Sequence, residues 1–225
     1  MIDGILLVDK EEGITSYDAI RRIKKNYPKG TKIGHTGTLD PFASGLLIIL
    51  IGRPATKLMD KFHNLDKEYI VEARFGFETD TQDITGKKAF EDKEKNIPSL
   101  RKIKTVIKKD FLGHISQIPP KYSAKKVKGK KAYELARKNI DFELKPKDIE
   151  IYNIEILKYK YPDIELRVIC STGTYIRTLV KDLARKFNTY ATATNLRRVR
   201  IGTFTVEGVN KSIIGVDKVL KILDE

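Results

Sequence analysis

The chain has 225 residues, of which 40% are hydrophobic and 33% are charged, and its formal net charge is +14 at pH 7. This length fits one large domain, or one domain plus a small appendage, and the many apolar strand-like runs exclude a wholly disordered chain. A charge this positive predicts an anionic partner, either nucleic acid or an anionic membrane surface. The longest uncharged apolar run, Leu46 to Ile51, is far shorter than the roughly 20 residues that a membrane-spanning helix needs.

Cysteine and histidine usage narrows the class of protein further. The single cysteine, Cys170, has no partner within the chain for a disulfide, which predicts a reducing, cytoplasmic compartment. The three histidines are far apart in the sequence, so we expect no metal site. The N-terminus lacks the basic and apolar regions of a signal peptide. These features together predict a soluble, basic, intracellular protein.

The predicted elements alternate irregularly between strands and helices. A strand is predicted from Gly4 to Asp9, and Ser16 is predicted to cap the helix that follows it. The later elements, in chain order, are a loop over 32–44, a strand over 46–51, a short helix over 57–62, a half-buried strand over 69–75, a turn-rich loop over 79–86, a helix capped by Ser99, strands over 151–160 and 164–170, a helix over 175–187, a strand over 198–206 and a final helix over 216–223. Without regular strand–helix–strand units, this order predicts an α+β fold with a mixed, largely antiparallel central sheet flanked by helices.

The segment from Ile118 to Asp141 is unusually basic. Its first part, up to Lys138, holds eight basic residues and one acidic residue, so it carries half of the net charge of the whole chain. Charge runs are usually solvated surfaces. Here the charge is almost entirely positive, and two interleaved tyrosines offer faces on which bases could stack. The pattern therefore favours an inserted segment that grips nucleic acid, with a projecting loop or short hairpin that leads into a helix.

Two further segments combine turn residues with charged groups. Asp40 lies between a glycine-rich stretch and Pro41, an arrangement that favours an extended backbone and a fixed carboxylate direction. A turn-capping role for Asp40 is about as consistent with this spacing as a catalytic one. Arg177 falls in the first turn of a predicted helix, where the helix dipole favours anions instead. An exposed arginine would explain this position, and so would a nearby carboxylate such as that of Asp40.

These segments resemble the TruB family of tRNA pseudouridine synthases. The stretch from Lys32 to Leu47, which contains Gly-His-Thr-Gly-Thr-Leu-Asp-Pro, resembles the signature motif of that family. Further blocks resemble the family in the same order along the chain; they begin at Gly4, Asp66, Thr79, Ile118, Gly173 and Leu196. The resemblance covers nearly the whole chain and implies a single catalytic domain over residues 1–225, with the basic segment 118–141 as an RNA-clamping insertion.

The resemblance implies an isomerase that converts uridine 55 in the T loop of tRNA to pseudouridine. In this reaction the base is detached from its ribose, rotated and rejoined through carbon. The family uses no cofactor and no metal. The implied partner is the tRNA T stem-loop, and we expect a monomer.

The resemblance also assigns roles to individual residues. Asp40 matches the catalytic aspartate that attacks a flipped-out nucleotide, and Arg177 matches its charged partner, which would lower the pKa of the aspartate. Tyr69 matches the tyrosine that stacks on the target base and assists proton removal. The implied substrate-binding residues are His35, Tyr69, Tyr175, Leu196 and Lys10, and the implied RNA-binding residues are Lys121, Lys125, Lys126, Lys128, Lys130, Lys131 and Arg137.

Most relatives carry a further C-terminal RNA-binding PUA module, and we expect this chain to lack it. Three alternatives remain at this point. The first is an RNA-guided archaeal or eukaryotic-type synthase, which usually has Pro-Lys-Val where this chain has Pro41-Phe42-Ala43. The second is a non-catalytic RNA-binding protein or tRNA-folding chaperone, which would need none of Asp40, Tyr69 and Arg177. The third is a generic DNA-binding domain, for which no helix-turn-helix or zinc-finger pattern is present.

Overall fold

A computed structural model describes residues 3–209 and 213–224. The strands are β1 (Gly4–Lys10), β2 (Ile33–His35), β3 (Ser44–Ile51), β4 (Lys67–Phe75), β5 (Phe77–Thr79), β6 (Lys88–Glu91), β7 (Gly113–Gln117), β8 (Lys126–Val127), β9 (Lys130–Lys131), β10 (Lys147–Lys160), β11 (Asp163–Cys170), β12 (Ala191–Ile201), β13 (Phe204–Thr205) and β14 (Ile214–Gly215). The helices are α1 (Ser16–Lys24), α2 (Arg53–Thr56), α3 (Met59–Asn64), α4 (Leu100–Val106), α5 (Ala132–Arg137), α6 (Ile176–Arg185) and α7 (Val216–Asp224). The predicted fold class, α+β with a mixed and mostly antiparallel sheet, is confirmed.

The chain divides into two compact units. The first unit contains the residues up to Tyr69 together with those from Arg197 onward, and the second contains Ile70–Leu196. In the first unit the strand order is β14–β1–β3–β12, with β2 also paired to β3 and β13 to β12. β1 pairs with β3 in antiparallel fashion, whereas β12 runs parallel to β3.

Strand β3 is the core of the first unit because both of its faces are buried. Leu46, Ile48 and Leu50 pack into one hydrophobic cluster, which also contains Phe62. Leu47, Ile49 and Ile51 pack into a second cluster, with Ala19 and Ile20 of α1. Since side chains alternate along a strand, a continuous apolar run is what a strand buried on both faces requires. The strand predicted from this run is confirmed, and it provides a rigid base for the loop before it.

Two helix boundaries in the first unit differ from the sequence-based predictions. Thr15, not Ser16, caps α1: its hydroxyl accepts from the Asp18 backbone, and the Asp18 carboxylate accepts from the Thr15 backbone at 2.9 Å. This reciprocal pair leaves Ser16 free to turn inward. The short helix predicted over 57–62 is confirmed as α3 but is shifted by two residues, and the short helix α2 before it was not predicted.

In the second unit the strand order is β12–β4–β11–β10–β7. Ser99 caps α4 as predicted, and its hydroxyl accepts from the Lys102 backbone at 3.3 Å. The helix then continues as a π-helical turn over Ile107–Phe111, which the sequence pattern did not predict. The β5–β6 pair was missed because β6 is exposed along its whole length and has no alternating pattern, and the short strand β7, which pairs with β10, was missed as well. Within the described ranges, no helix is long and apolar enough to cross a membrane.

Candidate active site

The loop of residues 36–43, here called the Asp40 loop, connects β2 to β3 in the first unit. Its start is tied to β3, since the Thr36 amide donates to the Ile48 carbonyl at 3.1 Å. Its end turns tightly, since the Ala43 amide donates to the Asp40 carbonyl at 3.1 Å. Leu39 and Phe42 are both 3% exposed and anchor the loop in the interior, whereas Asp40 between them is half-buried. The backbone around Asp40 is therefore fixed, while its side chain remains near the surface.

A second segment, residues 10–16, holds the Asp40 loop from the other side. The buried Ser16 hydroxyl accepts from the Leu39 amide at 2.8 Å and donates to the Leu39 carbonyl at 3.1 Å. The Gly13 amide donates to the Pro41 carbonyl at 2.8 Å. These bonds act on the residues directly before and after Asp40. They restrict the backbone dihedrals there, and so limit the directions that the carboxylate can take.

Lys10 lies at the end of β1 and is only 1% exposed. Its ammonium donates to the Glu11 and Ile14 carbonyls, each at 2.8 Å, and lies 3.5 Å from the Pro41 carbonyl. Burial lowers the pKa of Lys10, and the charge of Asp40 partly opposes this effect. Lys10 thus holds the segment that supports the Asp40 loop, and it is close enough to Asp40 for the two charges to interact.

His35, at the end of β2, is half-buried directly before the Asp40 loop. Its Nδ1 and the Oγ1 of Thr36 are buried with no hydrogen-bond partner among the described residues. Burial lowers the pKa of His35, and the positive charge of Arg198 lowers it further. The imidazole is therefore neutral near pH 7, a state suited to stacking on a base rather than to pairing with phosphate.

This lowered pKa predicts a pH dependence of stability. Because the folded protein resists protonation of His35 and the unfolded chain does not, the contribution of His35 to stability falls as the pH drops below about 6.5. We expect the melting temperature of the wild type to fall more steeply between pH 7 and pH 5 than that of the His35→Gln variant. Thermal melts of both proteins across this range provide the measurement. Parallel curves would contradict the assignment of a lowered pKa.

Tyr69 lies half-buried on β4, at the end of the first unit. The strand leading to it is fixed by Arg200, which donates to the Asp66 carboxylate at 2.9 Å and to the Glu68 carboxylate at 3.0 Å. The alternation predicted for β4 is confirmed, with Val71, Ala73 and Phe75 buried. The first unit thus contains four of the predicted site residues, namely Lys10, His35, Asp40 and Tyr69.

Arg177, in the first turn of α6 in the second unit, is 3% exposed, so it is not the exposed arginine that its sequence position allowed. It donates to the Thr81 carbonyl through Nη1 and to the Tyr122 carbonyl through Nη2, the latter at 2.9 Å. Nη1 also lies 3.5 Å from the carboxylate of Asp83, which is itself 5% exposed. A carboxylate next to this buried arginine is therefore present within its own unit.

Asp83 was not among the predicted site residues, although its loop was singled out as turn-rich. Its Oδ1 accepts from the Thr81 hydroxyl at 2.9 Å and from the Thr85 amide at 3.0 Å. The loop is also joined to β12, because the Ile84 amide donates to the Ala193 carbonyl at 2.9 Å. The carboxylate of Asp83 is thus held by its own loop and faces Arg177 with its other oxygen. The sequence offered two signals for this loop, its turn-rich composition and the resemblance of the block that begins at Thr79 to the family.

Tyr175 and Leu196, predicted as substrate-binding residues, also lie in the second unit. Tyr175 directly precedes α6 and is half-buried, and its backbone is held on both sides by the side chain of Gln117 at 2.8 and 3.1 Å. Leu196 on β12 is 5% exposed. Gln117 is 3% exposed and fixes the turn before Arg177, a positioning role that its sequence position did not reveal.

The basic insertion, residues 118–141, forms the hairpin and helix that the sequence predicted. β8 and β9 pair through a two-residue turn in which Lys128 and Gly129 both have positive φ, as tight hairpins require. The turn presents Lys126, Lys128 and Lys130 to solvent. In α5, the Tyr133 ring is faced by Lys131 and Arg137, each 5.5 Å from its centroid. The insertion therefore carries a predominantly positive, exposed charge on a defined backbone.

Within the described part of the chain, no three histidine, cysteine, aspartate or glutamate side chains are grouped so that they could hold a metal ion. The chemistry available on these residues consists of a half-buried carboxylate on a clamped loop, a tyrosine, a buried arginine and a neutral histidine. A carboxylate of this kind can act as a nucleophile or a base.

Comparison with known proteins identifies the family. A model described as "TruB family pseudouridylate synthase (N terminal domain)" matches residues 22–176. A tRNA pseudouridine synthase B of Caldicellulosiruptor saccharolyticus is 46% identical over 92% of this chain and 70% of its own length. The tRNA pseudouridine synthase B of Endomicrobium trichonymphae is 45% identical over 99% of this chain and 96% of its own length.

The fold has a counterpart among solved structures. A chain in the crystal structure of a Cbf5–Nop10–Gar1 complex is 30% identical and superposes with a TM-score of 0.66. That match covers 90% of the present chain but spans half the length of the solved one. The family model covers more than half of the present chain, and its range includes Asp40 and Tyr69. The chain therefore belongs to the TruB family of pseudouridylate synthases and is a pseudouridine synthase, an isomerase.

Proposed function

We propose that this protein converts uridine 55 in the T loop of tRNA to pseudouridine, with Asp40 as the nucleophile. The observation that carries the proposal is the Asp40 loop. Its sequence resembles the signature motif of the family, and Ser16, Gly13 and Lys10 hold its backbone around one half-buried carboxylate. Support for tRNA as the substrate comes from relatives named tRNA pseudouridine synthase B at 43–46% identity.

The reaction exchanges one bond between base and ribose for another. Asp40 attacks the target nucleotide, the bond from C1′ to N1 of the uracil breaks, and the detached base rotates. A new bond then forms from C1′ to C5, Asp40 is released, and the hydrogen of C5 leaves as a proton while N1 gains one. No electrons are gained or lost overall, so neither a redox cofactor nor a second substrate is required.

The remaining predicted residues fit distinct steps of this reaction. We assign the stacking on the target base and the late proton removal from C5 to Tyr69. His35, neutral because it is buried, fits stacking in the space that flipped-out nucleotides leave. Tyr175 and Leu196 are assigned to the base pocket, and Lys10 acts on the reaction through the loop that it supports. The pairing of Asp40 with Arg177 stays a prediction, since Arg177 also faces Asp83 in its own unit.

The basic insertion is assigned to the phosphates of the T stem. Each lysine that neutralises a phosphate releases counterions, so it contributes about 0.7 to 0.9 to the slope of log affinity against log salt. Replacing Lys126, Lys128 and Lys130 together by alanine is expected to reduce that slope by about two to three. Filter binding to tRNA across a series of salt concentrations measures it.

The control for this prediction removes the same charge elsewhere. Lys24, Lys25 and Lys29 are exposed in the first unit and have no assigned role in RNA binding. Their combined replacement by alanine is expected to change the slope by less than one. Equal slopes for the two triple variants would mean that the salt dependence arises from net charge in general and not from specific phosphate contacts of the insertion.

Because tRNA is found inside the cell, the proposed substrate agrees with the cytoplasmic location that the sequence predicts. The proposed reaction requires no cofactor, as the sequence analysis also expects. Tritium at C5 of uridine tests the reaction, because C5 must lose its hydrogen when the new bond forms. An unmodified tRNA transcript with this label is expected to release one equivalent of tritium. A transcript with cytidine at position 55 is expected to release none. Equal release from both transcripts would refute the assignment to uridine 55.

An RNA-guided synthase remains the main alternative, because a solved relative is described as an H/ACA RNP bound to a substrate RNA. Its identity to this chain is 26%, well below that of the tRNA pseudouridine synthase B relatives. The tritium assay separates the two cases when it contains the purified protein and the transcript alone. Activity without a guide RNA or a partner protein supports the tRNA enzyme, whereas a strict need for them supports the alternative.

A further inference from the structure

Arg198, on β12, is a buried cation for which the proposed reaction has no assigned role. It is 1% exposed and has the largest volume of the fully buried side chains in the described part of the chain. Removing a guanidinium from water is costly unless its N–H groups are well bonded. A buried arginine is therefore unusual enough that its partners require an explanation.

One partner of Arg198 lies near the start of the Asp40 loop, and the other lies in β3, just after the loop. Nη2 donates to the Gly37 carbonyl at 3.1 Å, near the start of the loop. Nε donates to the Leu46 carbonyl at 2.8 Å, just after β3 has begun. One rigid, planar group thus joins two backbone positions that flank residues 38–45, the stretch that contains Asp40.

The backbone of Arg198 is also in close contact with this stretch. Arg198 stands opposite Gly45 in the parallel pairing of β12 with β3. Gly45 has a φ of +106°, and a Cβ at this position would lie 2.2 Å from the Arg198 carbonyl oxygen. Only glycine allows this approach, so the position of the guanidinium relative to the loop is set by the strand pairing itself.

The charge of Arg198 reaches the groups around Asp40. It lowers the pKa of both Lys10 and His35, whereas the charge of Asp40 has the opposite effect on Lys10. Arg198, Lys10 and Asp40 therefore form one charged neighbourhood in the first unit.

We propose that Arg198 is a positioning residue for the isomerisation: by holding the Gly37 and Leu46 carbonyls, it fixes the Asp40 loop and so the direction of the Asp40 carboxylate. This inference rests on the proposed role of Asp40 as the nucleophile. It differs from a role in general stability, because the two bonds flank the one stretch, residues 38–45, that contains Asp40. A displacement of about 1 Å at a reacting group can cost roughly 100-fold in rate.

The test compares Arg198→Met and Arg198→Lys with the wild type. Methionine removes both bonds, and an ammonium cannot reproduce the planar span between the two carbonyls. We expect the single-turnover rate of pseudouridine formation to fall about 100-fold in the methionine variant and at least 10-fold in the lysine variant. The Kd for tRNA is expected to change less than about 3-fold in both. Arg74→Met, which removes an exposed arginine paired with Asp163, is the charge-matched control and is expected to keep the wild-type rate.

Amide hydrogen exchange provides a measurement that does not depend on activity. In the Arg198 variants, the Leu39 and Ala43 amides are expected to exchange at least 10-fold faster, while the amides between β1 and β3 keep their wild-type protection. Uniformly faster exchange through the first unit, or a wild-type rate per folded molecule, would overturn the proposal. If Arg198→Met does not fold, the comparison of Arg198→Lys with the wild type alone decides the question.

A wild type that is inactive on tRNA would refute the proposed function. The exchange result would still decide whether Arg198 fixes the loop.

Discussion

Exchange of Asp40 for asparagine is expected to lower the single-turnover rate of tritium release from 5-tritiated tRNA by roughly 10⁴-fold or more. Asparagine has nearly the same shape, so it preserves the backbone bonds of the Asp40 loop, but its amide is not a nucleophile. The Kd for tRNA is expected to change less than about 3-fold, because phosphate contacts dominate RNA affinity. Rapid-quench kinetics and filter binding on the same preparations give the two values.

Asp9→Asn is the matched control for this experiment. Asp9 is partly exposed and forms an ion pair with Arg197 at 2.6 Å, so this variant makes the same chemical change on a carboxylate outside the proposed site. It is expected to keep the wild-type rate within about 3-fold. Substantial residual activity in Asp40→Asn, together with wild-type activity in the control, would show that another group is the nucleophile.

Replacement of Arg177 by methionine is expected to reduce both stability and activity. The change leaves the Asp83 carboxylate buried without the cation at 3.5 Å, and removal of one partner of a buried ion pair costs about 3 to 5 kcal/mol. It also removes the bonds to the Thr81 and Tyr122 carbonyls, which join two loops of the second unit to α6. Urea unfolding provides the free energy of unfolding, and the tritium assay provides the rate.

Two further variants show whether Asp83 is the cause of this loss. In the Arg177→Met/Asp83→Asn double variant no buried carboxylate remains unpaired, so we expect part of the lost stability to return, with a coupling of about 1 kcal/mol or more. Arg74→Met, at an exposed ion pair, is expected to cost no more than about 1 kcal/mol. Strictly additive effects of the two substitutions would mean that Asp83 and Arg177 do not stabilise each other.

The elements that the sequence predicted well are those with a strong local pattern. The apolar run of β3 and the alternation of β4 each follow from which faces are buried, and the basic insertion is marked by its charge. The boundary errors have local causes as well. Thr15 and Ser16 are both good capping residues, and only the reciprocal bond to Asp18 decides between them.

The site was predictable to the extent that it lies in short motifs. The Asp40 loop and Arg177 stand out by residue type and by resemblance to a family. The supporting residues do not, because their roles arise from contacts between distant parts of the chain. Arg198 meets Gly37 and Leu46 across more than 150 residues, and Gln117 meets Tyr175 across 58. No local pattern carries such information, since it depends on the strand order of the folded sheet.

The most direct test of the central claim is to map the modified nucleotide. Pseudouridine has the mass of uridine, so an unmodified tRNA transcript is incubated with the enzyme, treated with a carbodiimide that labels pseudouridine, and copied by reverse transcriptase. With the wild type we predict one stop, at position 55 in the T loop, and with Asp40→Asn we predict none. Tight tRNA binding without a stop, or a stop that persists in Asp40→Asn, would contradict the account.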